Sequence, residues 1–429
     1  MKLLHVAAFT ALLALTFNGC SRDTGEATGG ASAPASASPA PPLDDSLLTL
    51  DTHVDIPLDF ATDAVDPLDA DLQVNLEKMR MGGLDAAFFI VYVGQTARTP
   101  ENYAQAQTDA MTKFKAIHRM TEDLYPNLIE LAYSPDDVER ISAAGKLVAA
   151  IGIENGYVIG KDLDLLDRYY ELGARYMTLV HNGDNDLAHT AQPRADLGED
   201  PKGPDTGVTE FGAAAIERMN RLGIMVDVSH GSKQTALDAI RLSKAPVIAS
   251  HSAVRAVTDH PRNMDDETLL ALRDNGGVIQ VVAFDPYVKY QPPEELEAMR
   301  ALRERLGISG RVEIEKLPDD QRRAYVQGMA DIKKKWPPAT VKDFVDHIDY
   351  AVKLIGIDHV GISSDFGGGG GIVGWSDASE TPKVTRELQA RGYSEADIAK
   401  IWGGNLLRVW REVEHTAAML KSADADGGH

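Results

Sequence analysis

One cysteine, Cys20, stands in 429 residues, so an internal disulfide is excluded. Basic residues are also scarce: 43 lysines and arginines face 65 aspartates and glutamates, for a formal net charge of −22. That balance argues against nucleic acid or an anionic membrane surface as the main partner, and mainly indicates solubility. The apolar run from Val6 to Phe17 is too short to span a membrane as a mature helix. No glycine fingerprint for a dinucleotide follows the first candidate strand, which counts against a doubly wound sheet. From Ser21 to Pro42 large apolar residues are nearly missing, and this Ala-, Ser-, Pro- and Gly-rich stretch cannot bury enough surface to fold.

The N-terminal features that are present fit export. Lys2, the apolar run and Gly19-Cys20 predict a signal peptide over residues 1–20, and Cys20 is the candidate site of lipidation. Phe17-Asn18-Gly19-Cys20 is a loose lipobox, so ordinary cleavage with Cys20 incidental is the alternative. On the lipoprotein reading, residues 21–42 are a disordered tether to the periplasmic side of a bacterial envelope, with Ser21 favouring the outer membrane. The folded domain is expected over 43–420, with a disordered tail at 421–429.

Beyond the tether, short apolar runs alternate with amphipathic stretches, the pattern of a parallel sheet with crossover helices. The predicted strands are Leu47 to Asp51, Ala86 to Val93, Leu147 to Ile153, Arg175 to Leu179, Ile224 to Val228, Val247 to Ser250, Val278 to Ala283 and His359 to Ser363. Eight such units predict an α/β fold of the (β/α)8 TIM-like barrel type. The charged segment 290–338 is longer than a crossover needs and is expected to be a helical insertion.

Polar residues close these strands at one end. His53 and Asp55 follow the first, and Glu154, His181, His230, His251 and Asp365 each finish a later one. Any one of them could be a capping or core residue, but a succession at the same end is hard to explain as packing, and that end of a barrel carries catalysis. His53, Asp55, Glu154, His230 and His251 offer imidazole nitrogen and carboxylate oxygen without thiolate, a set that suits zinc ahead of manganese, cobalt or iron. Five ligands with one bridging carboxylate serve two ions, and Glu154 is the natural bridge by chain order. Asp365 could move protons, and His181 could donate to a developing oxyanion. Arg262 offers a planar fork for a carboxylate, or a surface salt bridge.

Together, Asp51-Thr52-His53-Val54-Asp55, Gly152-Ile153-Glu154-Asn155-Gly156, Leu179-Val180-His181-Asn182, Val226-Asp227-Val228-Ser229-His230, Ser250-His251-Ser252-Ala253, Pro261-Arg262-Asn263 and Ser364-Asp365-Phe366 resemble the membrane (renal-type) dipeptidase family of the amidohydrolase superfamily. Asn405-Leu406-Leu407-Arg408-Val409 is similar to the family's closing helix. The resemblance implies two zinc ions, with His53 and Asp55 on one, His230 and His251 on the other, and Glu154 bridging. It also implies that His181 binds substrate and polarises its carbonyl, that Arg262 holds the terminal carboxylate, and that Asp365 shuttles the proton. Asp51 is left to support the ligands rather than to bind metal. The expected substrates are L,L and L,D dipeptides. The alternatives are hydrolysis of a lactone, cyclic amide or β-lactam, or a non-catalytic metal-binding lipoprotein, and a homodimer is left open. Two departures stand out. Gly367-Gly368 replaces the family's usual Asp-Gly after Asp365-Phe366, and Asp285-Pro286 stands where a tyrosine often follows the seventh strand.

Overall fold

The computed structural model describes residues 47–308 and 317–427; the expected signal peptide, Cys20 and the tether lie outside them. Its strands are β1 (Leu50–Asp55), β2 (Ala86–Tyr92), β3 (Ile129–Leu131), β4 (Leu147–Glu154), β5 (Ala174–Thr178), β6 (Met225–Asp227), β7 (Ile248–Ser252), β8 (Val278–Val282) and β9 (Val360–Ser363). All pair in parallel in the order β1-β2-β4-β5-β6-β7-β8-β9. Beyond β9 the chain returns to β1, where Asp55 N donates to Phe366 O at 2.8 Å and nearly closes the (β/α)8 barrel.

Alternation along the strands divides the core in two. Ala86, Phe88 and Ile90 of β2 face the barrel interior with Leu50, Val148, Ala150, Tyr176 and Ile248, while Ala87, Phe89 and Val91 face the helices. Trp410, on the helix Asn405–Gly427, packs with that interior cluster, its ring 5.6 Å from that of Phe88. Burying an aromatic pair of this kind contributes about 0.5–1.5 kcal/mol beyond its apolar area.

Several boundaries differ from expectation. The first strand runs Leu50–Asp55 rather than Leu47 to Asp51, so His53 and Asp55 lie within it. β3 has no counterpart among the eight predicted strands; it pairs Ile129 with Leu147 and Leu131 with Ala149, below the point where β5 joins β4 at Ile151. Three residues carry too little pattern to be read as a strand. Residues 421–427, expected as tail, continue the helix Asn405–Gly427, and Arg221 pairs with Asp424 to hold it. In the segment expected as a helical insertion, helices Pro293–Arg305 and Asp319–Lys335 are present. Lys333 links them to the end of β8 through Glu295 and Asp285, each at 2.8 Å.

Candidate metal centre and active site

The barrel delivers its polar residues by two devices, strand ends and bulges. Between Asp51 and Val54 the β1–β2 register gains one residue on β1, and between Ala249 and Ser252 the β7–β8 register gains one on β7. Each bulge contains a histidine, His53 or His251. A one-residue bulge reverses which side chains face inward. Leu50 therefore faces the interior while Val54 faces the helices, leaving His53 and Asp55 toward the barrel axis. The same bulge breaks the alternation by which Asp51 would share the face of His53. Instead Asp51 Oδ1 accepts from the backbone N–H groups of His53 (3.2 Å) and Ser364 (3.0 Å), and burial pushes its carboxyl up to about 6.

The two oxygens of Glu154 face different groups. Oε1 lies 3.0 Å from His230 Nε2 and 3.2 Å from His251 Nε2, while Oε2 lies 3.7 Å from His53 Nε2. Asp55 Oδ2 is 3.4 Å and Asp365 Oδ1 4.0 Å from the same His53 nitrogen. His181 Nε2 stands 3.8 Å from Glu154 Oε1, with its ring 4.2 Å from that of His230. The donor atoms fall into three overlapping groups able to hold a metal ion: His53, Asp55 and Glu154; Glu154, His181 and His230; and His53, His251 and Asp365. Burial alone would raise Glu154, but the imidazoles of His181 and His53 outweigh it and hold the carboxyl well below its usual range. Burial drives His251 the other way, down to about 4, so its imidazole is neutral and free to ligate.

Residues that sequence reading did not single out fix the three imidazoles. The Tyr176 hydroxyl donates to Thr52 O at 2.9 Å, so it accepts from His53 Nδ1, also at 2.9 Å. Ser250 Oγ donates to Asp227 Oδ2 at 2.6 Å and is left to accept from His251 Nδ1 at 2.8 Å. Asn182 Oδ1 faces His230 Nδ1 at 3.1 Å. With each Nδ1 donating, each Nε2 points at the Glu154 cluster, the orientation a metal ligand requires. At His53 burial would lower the pKa, but the Glu154 and Asp55 carboxylates outweigh it and raise the pKa well above the usual histidine value, so a cation there would take the place of a proton. Gly152 makes room for this arrangement, since a Cβ there would sit 2.2 Å from the Tyr176 ring. Tyr176 could have been noticed inside the strand it occupies, but nothing in the sequence says which histidine it meets.

The metal that this donor set implies fits the residues present. His53 Nε2 is buried without a hydrogen-bond partner, yet three carboxylate groups approach it within 4.0 Å. An orphaned imidazole nitrogen facing convergent carboxylate oxygens meets the donor requirement of a divalent cation.

Arg262 lies beside this centre rather than on the surface. It is buried and forms no ion pair among the described residues; Nη2 donates to His251 O at 3.1 Å and Nε has no partner. Its guanidinium carbon is 5.3 Å from the centroid of the Tyr287 ring, so Tyr287 joins the site two residues after Asp285. Asp285 itself is occupied elsewhere, accepting from Lys333 and from Ala339 N. The glycine run after Asp365 also touches the centre: a Cβ on Gly368 would lie 2.4 Å from Asp55 Oδ2 and 2.6 Å from Asp365 Oδ1.

Comparison with known proteins gives a consistent set of relatives. A family model described as membrane dipeptidase (peptidase family M19) matches residues 40–424. The dipeptidase aclJ of Aspergillus oryzae is 31% identical over 354 residues, 81% of this chain and 72% of the relative. The dipeptidase tcpJ of Claviceps purpurea is 31% identical over 353 residues, 81% of this chain and 71% of its own. Among crystal structures, the probable dipeptidase PvdM from Pseudomonas aeruginosa is 37% identical with a TM-score of 0.76, covering 87% of this chain and 96% of that one. A metallopeptidase from Rhodobacter sphaeroides, liganded with a phosphinate mimic of the dipeptide L-Ala-D-Ala, shares the fold at 23% identity and a TM-score of 0.65, covering 86% of this chain and 99% of that one.

Proposed function

This chain belongs to the membrane dipeptidase family, peptidase family M19, and we propose that it is an exported, lipid-anchored dipeptidase that works with two zinc ions on L,L and L,D dipeptides. That it is a dipeptidase, a hydrolase of peptide bonds, follows from the family itself. The observation that carries the finer reading is the division of Glu154, with one carboxylate oxygen toward His230 and His251 and the other toward His53. On this reading His53 and Asp55 would hold one ion, His230 and His251 the other, and Glu154 would serve both. When bound, such ions supply Lewis acidity and an activated water.

The chain's own residues do the rest. Arg262, buried with its Nε unpartnered, binds the substrate's terminal carboxylate. Tyr287 packs beside that guanidinium. His181 donates to the carbonyl oxygen as charge develops on it. Asp365 takes the proton from the attacking water and passes it to the departing amine. Burial pushes the Asp365 carboxyl up to about 8, with the Asp55 and Glu154 carboxylates adding to the rise and His53 opposing it. That L,D dipeptides are accepted is supported only by the shared fold of the Rhodobacter sphaeroides enzyme, which holds an L-Ala-D-Ala mimic.

The test is to purify the protein, count metal per chain, and assay a panel of L,L and L,D dipeptides. Two zinc ions with hydrolysis of both series is the expected result; two bound metals without hydrolysis of any dipeptide refutes it. The anchor rests on Cys20 at the end of the expected signal peptide. Cys20→Ser should move the protein from the membrane fraction to the soluble periplasm, and unchanged membrane association would remove Cys20 from that role.

A further inference from the structure

Lys113 sits on the helix Pro100–His118, on the face turned toward the barrel with Ala106, Ala110, Phe114 and Ile117. Among the buried residues of that helix it alone is charged, and its exposure is 5%. Among the described residues its ammonium makes no hydrogen bond or ion pair. What it meets is the Tyr92 ring, 5.4 Å from the centroid, and the Tyr92 ring lies 4.9 Å from that of His181. A buried, unpaired ammonium is expensive, and an apolar side chain at this position would pack without that cost. Burial lowers the Lys113 pKa from its usual value, and the Asp55, Glu154 and Asp109 carboxylates oppose that fall.

Its position around the barrel gives it a direction. In the strand order β1-β2-β4-β5-β6-β7-β8-β9, β2 and β7 are on opposite sides of the mouth. Arg262 follows β7 and is tied to His251, whereas Tyr92 ends β2 and carries Lys113 over its ring. A dipeptide with its terminal carboxylate on Arg262 and its scissile bond at the cluster would extend toward β2, with the side chain of its N-terminal residue on the side of Tyr92 and Lys113. We propose that Lys113 is a specificity-determining residue that pairs with an acidic side chain on the N-terminal residue of the substrate. This rests on the dipeptidase reading with Arg262 at the terminal carboxylate, and it names the substrate class within that reading.

The experiment compares kcat/KM for Glu-Ala and Gln-Ala, which differ in charge and hardly in shape, on the metal-loaded full chain. Wild type should favour Glu-Ala by about tenfold or more, the range of a charge-assisted pair in a desolvated site. In Lys113→Met the ratio should fall to about one or below through a rise in KM for Glu-Ala, and Lys113→Arg should keep part of the preference. A wild type without preference for Glu-Ala overturns the proposal whether or not the variants fold. So does a preference that Lys113→Met leaves intact, with circular dichroism and the thermal midpoint showing that the variant is folded. Ala-Ala separates the two failures. If metal-loaded enzyme cleaves no dipeptide, Ala-Ala included, the dipeptidase assignment fails and takes this proposal with it; if Ala-Ala is cleaved without a Glu-Ala preference, only the role of Lys113 fails.

Discussion

Turnover should depend most steeply on Asp365, which ends the last barrel strand with its backbone in the left-handed region at φ 58°. The backbone there is held by its surroundings: Gly368 N and Gly370 N both donate to the Asp365 carbonyl oxygen, at 3.1 and 2.7 Å. Asp365→Asn keeps that shape but removes the proton carrier. We expect kcat to fall by about 10²–10⁴-fold, the usual worth of general acid–base catalysis, with metal content unchanged by elemental analysis. Loss of metal from the variant would instead make Asp365 a ligand, as its grouping with His53 and His251 also allows. Tyr176 acts one step further back, because its hydroxyl fixes the tautomer of His53. Tyr176→Phe should weaken metal binding by about ten- to hundredfold in chelator competition, the range for losing the partner of a ligating imidazole. Neither residue type identifies itself in the sequence in the same way. An aspartate closing an apolar strand is visible; a tyrosine inside a strand becomes informative only when its partner is known.

At the scale of elements, the glycine run after β9 is a cover pressed against two carboxylates. Gln73 clamps it, accepting from Gly367 N and donating to Gly370 O, each at 2.9 Å. Gly368→Ala would push a methyl to within contact of Asp55 and Asp365, so activity should be lost while the thermal midpoint changes little, since the strain falls on the site and not on the core. The helix Val341–Ile355 contributes in a different way. Its buried His347 accepts from Val254 N at Nδ1 (3.1 Å) and donates from Nε2 to Val288 O (2.9 Å), joining the segments that follow β7 and β8. Burial lowers its pKa below the usual histidine value. The unfolded chain therefore binds this proton at a higher pH than the folded chain does. The contribution of His347 is fully present above the unfolded value of about 6.5 and is lost as pH falls toward the lower folded value. Replacing His347 with Ala should cost about 1–3 kcal/mol at pH 8, as expected for buried groups left unpaired, and measurably less at pH 5 in parallel thermal melts.

For the molecule as a whole, the metal centre ties together opposite sides of the barrel, since its donors come from β1, β4 and β7 and from the ends of β5, β6 and β9. An ion that binds the folded chain and not the unfolded one stabilises by mass action, about 2.7 kcal/mol at a hundredfold excess over Kd. Chelation should accordingly lower the thermal midpoint and added zinc restore it; an unchanged midpoint would mean the donors are already satisfied without a cation. The sequence alone determined the barrel and named most of the side chains that the fold gathers at one end, because strand alternation with crossover helices is a strong pattern and a polar residue closing each apolar run marks that end. His53, Asp55, Glu154, His181, His230, His251 and Asp365 were all legible on that ground. The tertiary structure decided what depends on contacts distant in sequence. The bulges on β1 and β7 set which way His53 and His251 point, and no periodicity announces one extra residue in a strand. Tyr176, Ser250, Asp227 and Asn182 gained their roles only when the barrel brought them to an imidazole. Lys113, one charge in an amphipathic helix when read in sequence, became a buried side chain over the Tyr92 ring because the helix turns that face inward.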